Sequence, residues 1–437
     1  MRHTAAVVIL FGIFGGILPS FAEETWLNYR IATQVERELG NVGGEYKELS
    51  NLKPAGGVEL PPVVAAKPWF GEVLDARCVV VDKSRADSQV WDVLWLDVNG
   101  NKKLEPNERF ELKSEERSWR RALVPVEFKA EDGPRVQHFQ VSIYQREGLV
   151  PSPEAKDSSS RRMEEPKLLM GVRSAGYYFG KVKFGEKSHL VALVDANANG
   201  AFNDPVAGNR EGDWILVDQN DEGNFGPDYR YPEKLAYVGK YLYVDAIYWG
   251  VSVARDGSTI GITRPQIATG RLQIDEPSVK ITVIGENGKF VLKRTKAEEA
   301  FILPVGNYRV QAVEVTQIAE EGKGKKPSLV PRPAVPDDMR GTWTIKSMAS
   351  RGEAPPGRPF LITQDALATM KVGSPLKARV TPYRAAKELR FDLVLQGQDG
   401  LSYQILREGQ SPEDTPPMLK LRTKKGDWEK KYAFHFG

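Results

Sequence analysis

Three short apolar runs in this chain end in the same way, and this shared ending limits how the chain can fold. Each run has four residues and leads directly into an aspartate that begins an Asp-x-Asn pattern. The runs are Val93–Leu96, 191–194 and 214–217. A short apolar run followed by turn-forming residues indicates a β-strand. We therefore predict three strands that end in polar loops at Asp97, Asp195 and Asp218.

The rest of the chain has the same strand-like character. Phe139, Val141 and Ile143 alternate with polar neighbours, which is the period of a half-buried strand. Similar short runs recur along the chain, separated by Gly, Asn and Asp residues. We predict an all-β, multi-domain protein of mainly antiparallel sheets, built as Ig-like and prealbumin-like sandwiches. A short N-terminal helix is expected within 23–39, where apolar residues have loose helical spacing.

Segments rich in Gly, Pro or charge divide the chain into predicted domains. The predicted order is a signal peptide at 1–22, a helix and linker at 23–67, a β domain with one Asp/Asn loop at 68–150, a linker at 151–166, a β domain with two such loops at 167–268, a small β-sandwich at 269–319, a linker at 320–337 and an Ig-like β domain at 338–437. The recurrence of the pattern at Asp97 and Asp195 suggests that the first two β domains are related units.

The first residues have the pattern of a secretory signal peptide. Arg2 and His3 precede an apolar stretch at 5–18, and small residues end at Ala22. A stretch of about 14 residues is short for a bilayer span of about 20. We therefore expect an exported protein, periplasmic or extracellular, with no membrane span after cleavage at Ala22.

Charge and cysteine content exclude some classes of function. The formal net charge is only +3, which argues against a nucleic-acid partner held by phosphate neutralisation. Cys78 is the only cysteine, so no intrachain disulfide can form. It stands in an apolar run with no histidine near it in sequence, which favours a small buried hydrophobe over a catalytic thiol.

The first Asp/Asn loop, 97–108 (loop one), carries oxygen-bearing side chains at alternate positions, as Ca²⁺ requires. It resembles the twelve-residue EF-hand calcium loop, which implies side-chain ligands at positions 1, 3, 5, 9 and 12 and a carbonyl ligand at position 7. The matching residues are Asp97, Asn99, Asn101, Lys103 (carbonyl), Glu105 and Glu108. Lys102 stands at position 6, where the family has Gly, and a strand rather than a helix enters the loop.

The second loop, 195–206 (loop two), follows the same frame and has Gly200 at position 6. Position 12 is Val206, which cannot bind a metal, so the bidentate carboxylate must come from Asp204, Glu211 or Asp213. The predicted ligands are Asp195, Asn197, Asn199, Ala201 (carbonyl) and Asp204, with Asn203 as an alternative to the last.

The third loop, 218–223 (loop three), offers Asp218, Asn220 and Glu222 as ligands. Each loop has an alternative interpretation as a simple turn, because Asn, Asp and Gly are the preferred residues of turns. Asn in place of Asp lowers the charge of the loops. We therefore expect weak structural calcium sites, with Kd on the order of 10⁻⁴–10⁻³ M.

A fourth motif lies further along the chain. Leu303-Pro304-x-Gly306-x-Tyr308 resembles the turn into a late strand of the carboxypeptidase regulatory-like, prealbumin-type fold. That resemblance implies a small β-sandwich and carries no information about activity.

Motifs for catalysis are missing from the sequence. The histidines that follow the signal pattern, His138, His189 and His435, are widely spaced, and no nucleophile elbow, P-loop or Rossmann fingerprint occurs. The pattern is typical of exported bacterial-type β-rich proteins with EF-hand-like loops. We predict a non-catalytic protein that binds calcium structurally and a protein or glycan partner in the cell envelope or outside it. The alternative is a calcium-stabilised enzyme or substrate-binding subunit acting on polysaccharide or peptide. One set of aromatic residues fits either a sugar-stacking platform or core packing, and core packing is favoured because large aromatics are mostly buried. The set is Trp91, Trp95, Tyr241, Tyr243, Tyr248 and Trp249.

Overall fold

The protein is built almost entirely of β-strands, which confirms the predicted fold class. The computed structural model describes residues 23–32, 45–52, 59, 62–65, 67–74, 76–116, 119–130, 133–151, 161–207, 212–223, 225, 234–276, 278–294, 299–319, 341–347, 359–373, 375–385, 388–407, 418–422 and 429–433. These residues contain 31 strands and one short 3₁₀ helix, Pro106–Glu108. No helix in this part of the chain is long and apolar enough to cross a membrane.

The strands are numbered here in chain order. They are β1 (Glu23–Trp26), β2 (Asn28–Ile31), β3 (Glu45–Glu48), β4 (Trp69–Val73), β5 (Arg77–Asp82), β6 (Val93–Leu96), β7 (Arg109–Glu111), β8 (Lys113–Glu116), β9 (Trp119–Ala130), β10 (Gly133–Pro151), β11 (Arg161–Ser174), β12 (Gly176–Phe184), β13 (Lys187–Val194), β14 (Trp214–Asp218), β15 (Leu235–Tyr237), β16 (Tyr241–Val244), β17 (Ile247–Val253), β18 (Thr259–Thr263), β19 (Thr269–Ile274), β20 (Val279–Gly285), β21 (Gly288–Arg294), β22 (Phe301–Pro304), β23 (Gly306–Ala319), β24 (Gly341–Ser347), β25 (Pro359–Ile362), β26 (Leu367–Met370), β27 (Lys377–Ala385), β28 (Glu388–Gln396), β29 (Ser402–Arg407), β30 (Met418–Arg422) and β31 (Glu429–Ala433).

The first unit is a sandwich of two antiparallel sheets, with strand orders β3-β11-β10-β9-β8 and β4-β5-β6-β7. The alternation predicted for β10 is present, and Phe139, Val141 and Ile143 face the core that the two sheets share. Val79 and Leu94 fill the same core from the second sheet. Burial of these apolar faces holds the two sheets together.

The segment 151–166, predicted as a linker, overlaps the end of β10 and the start of β11, two neighbouring strands of this unit. β10 and β11 pair antiparallel along their length, with Arg146 opposite Lys167 and Pro151 opposite Arg161. Residues 152–160 lie outside the described part. The first unit therefore extends from β3 to the end of β11 at Ser174.

The second unit contains the sheets β1-β18-β17-β16 and β15-β14-β13-β12-β2. Val191, Leu193, Ile215 and Val217 face the core between the two sheets. The other face of β13 and β14 is also covered, by a second apolar cluster that includes Trp214. Burial on both faces explains why the runs 191–194 and 214–217 within these strands are apolar at every position.

The N-terminal segment completes this second unit and is not helical where it is described. Glu23 pairs with Ile262 and Asn28 pairs with Phe179, so β1 and β2 are edge strands of the two sheets. The prediction of a leading helix is wrong for 23–32, because pairing with distant strands outweighs a weak local spacing. Residues 33–39 lie outside the described part. The first unit is thus inserted between β2 and β12 of the second.

The third unit packs the sheet β22-β19-β26 against a long sheet with strand order β21-β20-β23-β24-β29-β28-β27. β25 pairs with β23 as well. β23 and β24 stand on either side of the predicted linker 320–337 and pair directly, so strands from 269–319 and 338–437 share one sheet. Within the Leu303–Tyr308 motif, the Tyr308 hydroxyl donates a hydrogen bond to the Pro304 carbonyl and is buried.

Candidate metal centre

Loop one is folded around the carboxylate of Asp97, which follows β6 directly and is buried. Asp97 Oδ1 accepts hydrogen bonds from the N–H groups of Gly100 at 2.7 Å and Asn101 at 3.1 Å. Asp97 Oδ2 accepts a third from the N–H of Lys102 at 3.0 Å. One carboxylate therefore fixes positions 4, 5 and 6 of the loop.

The two asparagines of loop one continue this pattern. Asn99 Oδ1 accepts the N–H of Asn101 at 2.9 Å, and Asn101 Oδ1 accepts the N–H of Lys103 at 2.8 Å. An amide oxygen has two lone pairs, so each keeps the capacity to bind a cation. The Asn99 amide also lies 3.4 Å from Glu105 Oε2. The structure thus places the predicted ligands at alternate positions of one tight loop.

The last residue of loop one, Glu108, is fully buried and bonds the backbone at positions 2 and 9 of the loop. Glu108 Oε1 accepts the N–H of Val98 at 2.9 Å, and Glu108 Oε2 accepts the N–H of Glu105 at 3.0 Å. Burial raises the pKa of Glu108, and the charge of Asp97 adds to the shift, although these backbone hydrogen bonds oppose it. A second carboxylate is therefore held beside the first.

Loop two repeats the arrangement. Asp195 is buried at the end of β13, and its oxygens accept the N–H groups of Asn199 at 3.1 Å and Gly200 at 2.7 Å. Asn197 Oδ1 accepts the N–H of Asn199 at 3.0 Å, and Asn199 Oδ1 accepts the N–H of Ala201 at 2.8 Å. These bonds match those of loop one position by position.

Asp213 takes the place in loop two that Glu108 has in loop one. It is fully buried just before β14, and its Oδ1 accepts the N–H of Ala196 at 3.0 Å while its Oδ2 accepts that of Asp204 at 2.8 Å. Of the three carboxylates predicted as candidates for this place, Asp213 is the one that bonds the loop backbone in this way. Glu211 lies outside the described residues. Asp204 Oδ2 instead accepts the side-chain amides of Asn197 at 2.7 Å and Asn199 at 2.5 Å.

The two buried carboxylates of loop two repel each other. Burial raises the pKa of Asp195 to about 7 despite its backbone hydrogen bonds. Burial also raises the pKa of Asp213 to about 8, and the charge of Asp195 adds to that shift. Both ionised forms are costly in this environment. A divalent cation between them would remove the cost, because it would become the largest local charge.

The three loops share an unusual backbone conformation at positions 4 and 6. Both positions have positive φ, which side chains other than Gly rarely adopt. The pairs are Gly100 (φ 73°) with Lys102 (φ 64°), Ala198 (φ 57°) with Gly200 (φ 87°), and Asp221 (φ 55°) with Gly223 (φ 73°). Lys102 therefore adopts the conformation expected of Gly at position 6, and its identity does not change the shape of loop one.

Loop three has the same backbone but a different electrostatic partner. Its position 6 N–H, from Gly223, donates to Asp218 Oδ2 at 2.7 Å. Lys234 Nζ lies 3.3 Å from Asp218 Oδ1 and 2.6 Å from Glu222 Oε2. Burial alone would lower the pKa of Lys234, but these hydrogen bonds raise it above the ordinary value. The two carboxylates are therefore held by an ammonium group, while Asn220 is exposed.

Sequence reasoning missed Lys234 altogether. No local signal connects a lysine in the next connection with Asp218, because the contact forms only when β14 and β15 pair. The aromatic residues also pack differently from a sugar platform. Trp95 is buried in a small cluster with Cys78, and the Trp91 ring packs edge-on against Trp69 at 6.2 Å.

Among the described residues, no group of three or more His, Cys, Asp or Glu side chains is arranged so that it could hold a metal ion. A calcium shell is not limited to these residue types, since amide and backbone carbonyl oxygens are ordinary ligands. In loops one and two such oxygens come from the asparagines at positions 3 and 5 and from position 7. The donor set is that of a hard cation rather than of zinc.

No family model and no curated protein matches this chain. A crystal structure of a leucine-rich repeat protein from Bacteroides thetaiotaomicron VPI-5482 is similar to 45% of this chain at 12% sequence identity. The match spans 22% of that protein, and the TM-score is 0.14. A similarity of this size supports no statement about fold or function.

Proposed function

We propose that loops one and two bind Ca²⁺ and that the ions stiffen an exported, non-catalytic β-rich protein. The proposal rests mainly on one observation: both loops hold a buried second carboxylate at the same place, although the chain supplies it differently. In loop one it is Glu108 at position 12, and in loop two it is Asp213, which comes directly before the next strand, β14. Both carboxylates accept the N–H of position 2.

A simple turn does not need this second carboxylate. One Asp or Asn side chain is enough to bond the backbone of a turn. Placing a second buried carboxylate beside the first costs free energy unless a cation or a proton compensates it. Ca²⁺ supplies the compensation and accepts the surrounding amide and carbonyl oxygens. The repeated pair of carboxylates therefore supports metal binding over the turn interpretation.

Loop three is left out of the proposal. Its Asp218 and Glu222 already bond the ammonium of Lys234, and this group would have to be displaced before a metal could enter. The role of the ions in loops one and two is structural: they hold polar loops in one conformation at the ends of β6 and β13. The rigid surface would then bind a protein or glycan in the cell envelope or outside the cell.

The proposal is tested by calcium titration of residues 23–437. We expect a calorimetric isotherm and a rise in melting temperature in millimolar Ca²⁺. A ligand at 100 times its Kd stabilises the folded state by about 2.7 kcal/mol per site. Asp97→Asn and Asp195→Asn should each remove part of the calcium-dependent rise, because each removes the central carboxylate of one loop.

Asp82→Asn is the matched control. Asp82 is also buried and accepts two backbone N–H groups, from Val64 at 2.8 Å and Ala65 at 2.7 Å, but it belongs to none of the three loops. This variant should lose stability without losing the calcium-dependent rise. The proposal fails if millimolar Ca²⁺ gives neither an isotherm nor a change in melting temperature of the wild-type protein.

A further inference from the structure

The two proposed calcium loops meet at the junction between the first and second units. Loop two belongs to the second unit, but its Ala198 is buried in the core of the first unit. The side-chain amide of Gln137, on β10 of the first unit, donates a hydrogen bond to the Gly200 carbonyl at 3.0 Å. Loop two is therefore seated on the first unit at positions 4 and 6.

Phe128, near the end of β9, forms the centre of this contact. A Cβ atom added to Gly200 would lie only 2.1 Å from Phe128 Cε1, so the ring packs directly on the backbone of loop two. The Phe128 ring also packs against Phe139 with centroids 5.8 Å apart. The guanidinium of Arg77 lies 5.0 Å from the ring centroid on a cation–π contact.

The residues around Phe128 are bonded to loop one as well. The N–H of Glu127 donates to the Val98 carbonyl at 2.8 Å. Arg77 donates to the Asp97 carbonyl at 3.1 Å and to the Glu127 carbonyl. The backbone of Val98 thus donates its N–H to Glu108 and accepts a hydrogen bond at its carbonyl from β9. The neighbouring residues 127 and 128 therefore contact loop one and loop two respectively.

We infer that the two calcium loops are coupled across this junction, so that calcium fixes the first unit against the second. The inference rests on the proposed function. An ion that holds Asp97 and Glu108 also holds the Val98 peptide, and with it the end of β9 on which Gly200 packs. Loop two in its ion-bound conformation presents Gly200 to Phe128 in return. Because coupling between sites is reciprocal, each loop should raise the calcium affinity of the other.

Hydrogen exchange measured by mass spectrometry on the full chain tests the coupling, because it follows the two loops separately. The calcium concentration that gives half-maximal protection is read for peptides covering 97–108 and 195–206. In the wild-type background, Asp195→Asn should raise the midpoint of loop one by about fivefold or more, the usual lower range of such coupling. In a Phe128→Leu background, Asp195→Asn should leave the loop-one midpoint unchanged, since the link is already broken.

Phe110→Leu is the control background. Phe110 is partly buried against the same core from β7, so the substitution removes similar volume without changing Phe128. In this background the effect of Asp195→Asn should remain. The inference is overturned if both loops gain protection with calcium while Asp195→Asn leaves the loop-one midpoint unchanged, or if Phe110→Leu abolishes the effect as Phe128→Leu does. Absence of calcium-dependent protection in both wild-type loops would refute the proposed function and the inference together.

Discussion

Loops two and three have the same backbone but balance their charge in opposite ways. Both have positive φ at positions 4 and 6, and both donate the position 6 N–H to the first aspartate. In loop two a second buried carboxylate, Asp213, bonds the residue next to Asp195. In loop three Asp218 is paired with the ammonium of Lys234 instead. The comparison teaches that the shape of an Asp/Asn loop does not show whether it binds a metal. What differs between these two loops is the residue brought in from the neighbouring strand or connection, and under the proposed function this residue distinguishes a calcium loop from an ion-paired one.

The largest effect is expected from Lys234→Met. Removing the ammonium leaves Asp218 buried without its partner, and breaking a buried ion pair in this way costs about 3–5 kcal/mol. Because Glu222 is about half exposed, the loss should fall at the lower end of that range. Calcium should recover part of the loss by binding to loop three.

Urea unfolding with and without 10 mM Ca²⁺ measures both parts of this prediction. Lys240→Met is the control, because Lys240 pairs with Glu286 at 3.8 Å on the surface and should contribute less than about 1 kcal/mol. If Lys234→Met is as stable as the wild type, or if calcium restores nothing, Lys234 does not act as the cation of loop three.

Asp213→Asn should have the next largest effect. Its dependence on calcium, compared with that of Asp218→Asn, distinguishes loop two from loop three. It removes the second carboxylate of loop two, so the calcium-dependent stabilisation of that site, about 2.7 kcal/mol at 100 times the Kd, should disappear. Asp218→Asn should destabilise the protein equally with and without calcium, because it removes the buried one of the two carboxylates that Lys234 bonds and loop three is not one of the proposed calcium sites. Unfolding free energies in calcium and in EDTA distinguish the two. Equal calcium dependence in both variants would contradict the comparison.

Without calcium, the stability of the protein should depend on pH through the two buried carboxylates of loop two. The folded pKa values of Asp195 and Asp213, about 7 and about 8, lie above the ordinary 3.8, so the folded state binds protons more tightly. Stability from these groups is therefore present below about pH 4 and is lost as the pH rises towards 8. In EDTA, the urea midpoint should fall between pH 5 and 8.5, and less so in Asp213→Asn. A midpoint that rises over this range in both proteins would refute the assignment.

Lys102→Gly should have the smallest effect and compares loop one with loop two. Lys102 has φ 64°, whereas loop two has Gly200 at the same position. A left-handed residue other than Gly costs about 1–2 kcal/mol, and part of the gain is offset by the greater freedom of Gly in the unfolded chain. We expect an increase of about 0.5 kcal/mol in the unfolding free energy. Lys103→Gly, at a neighbouring position without positive φ, should instead lower it.

Much of the fold could be predicted from local patterns. The period-two alternation in β10 and the four-residue apolar runs in β6, β13 and β14 indicated strands, and the structure contains them. The N-terminal helix was predicted wrongly over 23–32 because Trp26 and Tyr29 have helical spacing only by chance. They belong to edge strands that pair with β18 and β12, more than 140 residues away. Pairing over that distance leaves no local signal.

In the candidate site, too, some residues could be predicted from local spacing and others could not. The residues at positions 1, 3 and 5 of loops one and two follow from spacing, because each is bonded to backbone within its own loop. Asp213 could only be offered as one of three carboxylates, and Lys234 could not be foreseen. Both reach their loops through strand pairing, since β13 and β14 bring residues 195 and 213 together and β15 brings residue 234 to β14.

The sequence by itself determined most of the strands, the positions of the Asp/Asn loops and the oxygen-bearing side chains that each loop carries. These depend on residues within one turn of each other, and short-range spacing is enough to specify them. Only the tertiary structure decided which charge lies beneath each loop and that loops one and two meet at one junction. Those contacts join residues from different strands and units, and their energies depend on burial, which a linear pattern does not contain.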